Sequence, residues 1–210
     1  MGKVIAFSNQ KGGSGKTTLT ANIAVLWSNS GYRVAVIDCD SQKSLSYWLD
    51  ERKKYYGETD IGISSYSFDI RNLSNEVKQI KRKYDFILID SPPSITFDTI
   101  QILKATDRVF VPVQPSPVDL MATIPFLNLA KQEKKNPIIF LNRVMPRAKL
   151  TEAMILRLRY AGAKIARSRI SSKVIFAETF SVGRGVIDIS VTSDAAKEII
   201  NAGNEIIRNF

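Results

Sequence analysis

The chain of 210 residues contains no histidine and only one cysteine, Cys39. These shortages exclude a conventional zinc site or an iron–sulfur cluster within one chain, because both draw on several Cys or His ligands. A lone cysteine cannot close an internal disulfide, which fits a reducing cytosol. Cys39 sits at the end of an apolar run, where it reads as a small buried hydrophobe and not as a reactive thiol. Long hydrophobic runs are also missing. No segment approaches the roughly 18 apolar residues of a membrane span, and the N-terminus enters a strand-like segment without a secretory signal.

What is present is a chain with 44% hydrophobic residues, enough for one well-filled core and too little for two ordinary domains. Lys and Arg number 30 against 20 Asp and Glu, and the pI is near 9.7. The excess is uneven. Residues 141–185 hold Arg143, Arg147, Lys149, Arg157, Arg159, Lys164, Arg167, Arg169, Lys173 and Arg184 against only Glu152 and Glu178. Clustering on that scale favours a polyanionic partner over a merely solvated face.

Strand-like and helix-like segments alternate. Apolar strands are expected at Val4–Phe7, Val34–Ile37, Phe86–Ile89, Val109–Val113 and Ile138–Leu141. Helices are expected at Lys16–Ser30, Ile70–Lys83, Thr96–Ala105, Val118–Lys134, Thr151–Ala161 and Ser193–Asn209. Continuous apolar strands between helices predict one α/β domain, a mostly parallel sheet with helices on both faces. Ligands of such sheets bind beyond the carboxyl ends of the strands.

Lys11-Gly12-Gly13-Ser14-Gly15-Lys16-Thr17-Thr18 lies between the first strand and the first helix. That context suits a phosphate-binding loop: glycines let successive N–H groups turn toward one anion, and the helix N-terminus adds its positive end. Lys16 is placed to reach β/γ-phosphates and the Thr17 hydroxyl to ligate Mg²⁺. Asp90 closes the strand Phe86–Ile89, the Walker B pattern, where a carboxylate holds Mg²⁺ through water. The second strand ends in Asp38-Cys39-Asp40, and the Ile138–Leu141 strand ends in Asn142-Arg143. Pro115 and Pro117 bracket a loop read as packing.

With its extra lysine at position 11, the loop resembles the deviant Walker A signature of the ParA/MinD family of ATPases, which position plasmids, chromosomes or division proteins. The resemblance extends from Met1 to about Ile207 and is nearest the small ParF-type partition proteins. It implies a single-domain P-loop NTPase fold over residues 1–210, ATP and Mg²⁺ as cofactors, and weak ATPase activity. Lys11 is implied to reach across an ATP-dependent homodimer to the partner's phosphates, which makes Lys11, Lys16 and Asp40 the catalytic set. Asp38-Cys39-Asp40-Ser41-Gln42 resembles the family's Asp-x-Asp-Pro-Gln segment, with serine replacing proline. Asp40 inherits the water-orienting role and Asp38 a place in the magnesium shell. Asn142 is implied to read adenine, a role its amide suits because it can donate and accept together.

In the same comparison the segment Ala163–Phe176 faces DNA, with Arg167, Arg169 and Lys173 as contacts and Arg143 and Arg184 as weaker candidates. The implied partners are non-specific double-stranded DNA and a ParB/ParG-like centromere-binding protein, in a cytoplasmic, nucleoid-associated setting. The larger relatives' operator-reading N-terminal extension is not expected here. A MinD-like membrane-positioning ATPase is the alternative. It needs a basic amphipathic terminal helix, whereas the last helix carries only Lys197 and Arg208 against Asp194, Glu198 and Glu205. The cysteine count removes a nitrogenase-type reductase, and nothing beyond the nucleotide site suggests an amidoligase.

Overall fold

The described residues of this computed structural model are 2–57, 61–94, 97–145 and 149–210. Thr96, the expected start of a helix, and Arg147 of the basic run lie outside them.

In the first half, β1 (Lys3–Phe7) leads through the glycine loop to α1 (Lys16–Asn29). Then come β2 (Val34–Asp38), α2 (Ser44–Tyr56), β3 (Ile63–Tyr66), α3 (Leu73–Ile80) and β4 (Phe86–Asp90). The second half runs through α4 (Phe97–Ala105), β5 (Arg108–Val113), α5 (Pro117–Gln132), β6 (Ile138–Val144), α6 (Lys149–Tyr160) and β7 (Lys164–Ser171). It closes with α7 (Ile175–Ser181), α8 (Val186–Ile189) and α9 (Asp194–Arg208). All seven strands are parallel, in the order β3-β2-β4-β1-β5-β6-β7.

Alternation along each strand divides the core. Ile5, Phe7, Val36, Leu88 and Phe140 join one layer with α1, α2, α7, α8 and α9. Val4, Ala6, Ile37 and Ile89 meet α3 and α4 on the opposite face, and Val109, Val111 and Ile139 meet α5 and α6 beside them. The central strands are buried on both faces, so they read as continuous apolar runs. Helix α1 is buried nearly all round, between the sheet and α9, which explains its weak amphipathicity.

The five expected strands are present. The two outermost strands, β3 and β7, are the ones not foreseen, together with α2, α7 and α8. Edge strands carry polar side chains that discourage pairing with other chains. At β7 the exposed edge is closed by α9. Glu205 accepts the backbone N–H of Arg167 and of Ser168, both at 2.7 Å, and Glu198 accepts that of Ser171 at 2.9 Å.

Candidate functional site

The glycine loop spans the carboxyl end of β1 and is braced by its neighbours. Asn9 donates to the Pro112 carbonyl at 2.7 Å, Gln114 to the Gly13 carbonyl at 2.9 Å, and Asn142 to the Ser14 carbonyl at 2.7 Å. Gly15 has φ of 95°, and a Cβ there would lie 2.0 Å from the Asn142 amide nitrogen, so both conformation and space require glycine. Gly15 also serves as N-cap of α1 without any side-chain cap. The first N–H groups of a 14-residue helix are thus presented at the loop, an anion site by geometry and dipole.

Lys16 is buried, its ammonium 3.3 Å from the Lys11 carbonyl. Burial lowers its pKa against the opposing pull of Asp90 and Asp40. The Thr17 hydroxyl donates to Asp90 Oδ2 at 2.6 Å, and Asp90 Oδ1, fully buried, has no partner among the described residues. Burial, only partly offset by the Thr17 hydrogen bond, pushes the Asp90 carboxyl up to about 7. An unpartnered buried carboxylate oxygen beside a hydroxyl is a fitting donor pair for a hard cation. Among the described residues no three His, Cys, Asp or Glu side chains converge on one point; a cation held by Thr17 and Asp90 would draw further ligands from water or phosphate.

Asp40 lines the cleft over the loop, a space of about 360 Å³ shared with Gly12, Gly13, Lys16, Thr17, Gln42 and Pro93. One of its oxygens accepts the Gln42 N–H at 3.0 Å. Asp38 departs from expectation. Its Oδ1 accepts the Asp40 N–H at 3.0 Å, and its Oδ2 accepts both the N–H and the hydroxyl of Ser46, at 2.9 and 2.8 Å. With both oxygens so engaged, Asp38 organises the start of α2 and the backbone of Asp40. Burial and the neighbouring Asp38 push the Cys39 thiol up to about 12, consistent with an inert side chain.

Beside this cleft, and sharing Gly15, Thr18, Arg143 and Phe180 with it, opens an apolar pocket of about 580 Å³. Leu19, Ile170, Val174 and Phe176 form its apolar wall, with Asn142 and Arg143 also lining it. Its size and character suit a nucleoside. One N–H of the Asn142 amide already holds Ser14, which leaves its oxygen and its second N–H for a base. Pro115 and Pro117 line neither space: Pro117 opens α5 behind the N-cap Ser116.

Lys11 points back into its own chain, its ammonium 2.5 Å from Asp119 Oδ2. Asp119 is 1% exposed and also takes the Ser116 hydroxyl. Sequence reasoning passed over Asp119, although Ser116-Pro117-Val118-Asp119 is a helix-start pattern. Gln42, also passed over, was visible only as part of the switch-like segment.

The five basic candidates do not form one patch. Arg167 and Arg169 are exposed on β7, Arg169 3.0 Å from Glu152. Lys173 follows them and pairs with Glu198 at 2.7 Å. Arg184 is a packing residue: it donates to the Asp188 carbonyl at 2.6 Å and lies over the Tyr55 ring. Arg143 belongs to the two cavities.

The nucleotide binding domain model described as CobQ/CobB/MinD/ParA matches residues 5–186. Maintenance of carboxysome distribution protein A of Halothiobacillus neapolitanus is 30% identical, covering 97% of this chain and 95% of its own. The sporulation initiation inhibitor protein Soj of Bacillus subtilis is 27% identical over the full length of both chains. Among solved structures, the cell division ATPase MinD of Pyrococcus furiosus superposes with a TM-score of 0.80 at 22% identity, covering all of both chains. Loop, Walker B pair and sheet order thus agree with the sequence matches, and the chain belongs to the ParA/MinD family of deviant Walker A ATPases.

Proposed function

We propose that this protein is an ATP-dependent DNA-partition ATPase, whose ATP-bound sandwich dimer holds DNA without sequence preference. A ParB/ParG-like partner on the cargo stimulates hydrolysis and release. The nucleotide end of the reading rests on the loop and its surroundings. Lys16 and the α1 N-terminus take the β/γ-phosphates, Thr17 and Asp90 hold Mg²⁺, and the Asp40 oxygen not bound to Gln42 is placed to orient the attacking water. The metal supplies charge neutralisation on the phosphate oxygens.

The observation that carries the DNA end is the β7 edge. Arg167 and Arg169 stand exposed on a strand whose N–H groups are already closed by Glu205 and Glu198. Such a surface offers side-chain charge to a phosphate backbone without inviting strand pairing. The membrane alternative is weakened by α9. Its apolar face, Ala196, Ile199, Ala202 and Ile206, is fully buried against the domain. Among the described residues no helix is long and apolar enough to cross a membrane.

The test is duplex-DNA retention with ADP, ATP and a non-hydrolysable ATP analogue. Retention is expected only with the triphosphates. Replacing Arg167 and Arg169 together by Ala should weaken binding to all sequences alike and reduce the log–log salt slope by about 0.9 for each lost phosphate contact, with dimerisation intact. Equal retention in all nucleotide states, or an unchanged salt slope, refutes the DNA reading.

A further inference from the structure

Arg143 is among the weaker DNA candidates, and its surroundings are those of the two cavities. It lies inside β6 with φ of 52°, in the left-handed region that a residue with a Cβ seldom adopts. The β6–β7 pairing slips register between Leu141 and Val144, around this residue. Bulges of this kind re-aim a side chain and concentrate beside active sites, and backbone strain of this kind clusters there too.

The re-aimed side chain lines both cavities. Arg143 is one of the few residues shared by the apolar pocket and the phosphate cleft, the others being Gly15, Thr18 and Phe180. It stands at their junction. The cleft's other cation, Lys16, is buried in the loop, and the pocket's other cation, Lys173, is held by Glu198. Arg143 is exposed, and its side chain makes no hydrogen bond or ion pair among the described residues. A nucleotide with its base in the apolar pocket and its terminal phosphates at Lys16 must pass its ribose and α-phosphate across that junction. The ribose is neutral, and the α-phosphate offers two oxygens in the geometry a guanidinium fork matches.

We propose that Arg143 is a nucleotide-positioning residue that grips the α-phosphate of an adenine nucleotide bound to its own subunit. The proposal rests on the ATPase reading of the cleft. The α-phosphate is common to ATP and ADP, so this contact holds both equally and leaves the γ-phosphate to drive the switch. It also removes Arg143 from the DNA surface.

Calorimetric titration of ATP and ADP into wild type, Arg143→Ala, Arg143→Lys and Arg143→Gly tests it. The Ala variant should lose about 10- to 100-fold in affinity, the range of one charge-assisted contact, by the same factor for both nucleotides. Lys should restore part. Gly, free of the left-handed penalty, should show the same loss with an equal or higher melting temperature than Ala, which separates the effect from misfolding. At saturating ATP, DNA affinity and its salt slope should match wild type. Unchanged ATP and ADP affinities, a loss confined to ATP, or a flattened DNA salt slope overturns the assignment alone. Wild-type protein that binds neither nucleotide overturns the ATPase reading as well.

Discussion

The ion pair between Lys11 and Asp119 sets two demands on one side chain. In the isolated subunit Lys11 is held at 2.5 Å by a carboxylate that is itself buried. In the sandwich dimer that the family resemblance implies, the same ammonium must leave Asp119 and reach the partner's phosphates. A hydrogen bond to a charged group contributes about 1.5–3 kcal/mol. Lys11 is one-third exposed, and solvent screening reduces this to about 1–2 kcal/mol. A symmetric dimer of that kind would release two such pairs, so the pairs would hold dimerisation back by about 2–4 kcal/mol, or about 30- to 700-fold in the association constant.

Asp119→Asn keeps the side-chain shape and the Asp119 N–H that Ser116 accepts, while removing the charge. It should therefore tighten the dimer by up to that factor in the presence of a non-hydrolysable ATP analogue. Sedimentation velocity over a concentration series measures it. Lys11→Ala deletes the same ion pair from its other end and should abolish the dimer. Opposite signs from the two ends are the signature of a parked lysine. If Asp119→Asn dimerises like wild type, or if both variants weaken the dimer, Asp119 is only a helix cap.

Gly15→Ala should lower stability by about 1–3 kcal/mol and abolish nucleotide binding, and adding Asn142→Ala should restore part of the stability by removing the 2.0 Å clash; paired thermal melts and ATP titrations decide. Asp40→Ala should bind ATP normally and hydrolyse it at least about 100-fold more slowly in single turnover; wild-type turnover would move the water-orienting role to another residue. Burial pushes the Asp90 carboxyl from its ordinary 3.8 up to about 7 in the folded chain, so the folded state should bind the extra proton between those values. Nucleotide-free protein should then lose about 1.4 kcal/mol of stability per pH unit through this group as pH rises across that window. Asp90→Asn should flatten the pH profile of denaturant midpoints while eliminating Mg²⁺-dependent nucleotide binding.

The central strands and the phosphate loop were legible because their signals are local. A strand buried on both faces is a run of Val, Ile, Leu and Phe, and Gly-Lys-Thr spacing fixes the loop. The edges were not. The sequence of β3 is Ile-Ser-Ser-Tyr and that of β7 Lys-Ile-Ala-Arg-Ser-Arg-Ile-Ser, polar because only part of each is covered. Helix α2 lacks a capping side chain at its own N-cap, Lys43, where φ is 53°. Its cap comes from Asp38, eight residues before Ser46. With α2 illegible in the sequence, Ser46 is no visible partner for Asp38, and the part of that carboxylate in organising the helix start cannot be read there. The bulge at Arg143 is illegible for a like reason: sequence proximity to the other cations says nothing about a register shift that sets this residue beside two cavities.

The position of β7 also bears on how ATP can govern a distant basic surface. The strand carrying Arg167 and Arg169 ends at Ile170 and Ser171, and the chain runs on to Lys173 and Val174; all four line the apolar pocket. A base seated in that pocket therefore packs against the strand that presents the basic edge. Residues 166 and 170 of β7 are anchored in the core, and Glu205 and Glu198 tie its outer N–H groups to α9. The strand and α9 are thus bound to move together. Occupying the pocket does not distinguish ATP from ADP, so it cannot by itself switch DNA binding. On the proposed partition reading, the γ-phosphate would act through the dimer, where two β7 edges held in one frame would bind a duplex with an avidity that neither has alone. In that reading the pocket wall would fix the orientation of each edge, and Lys11 would decide whether there are two of them.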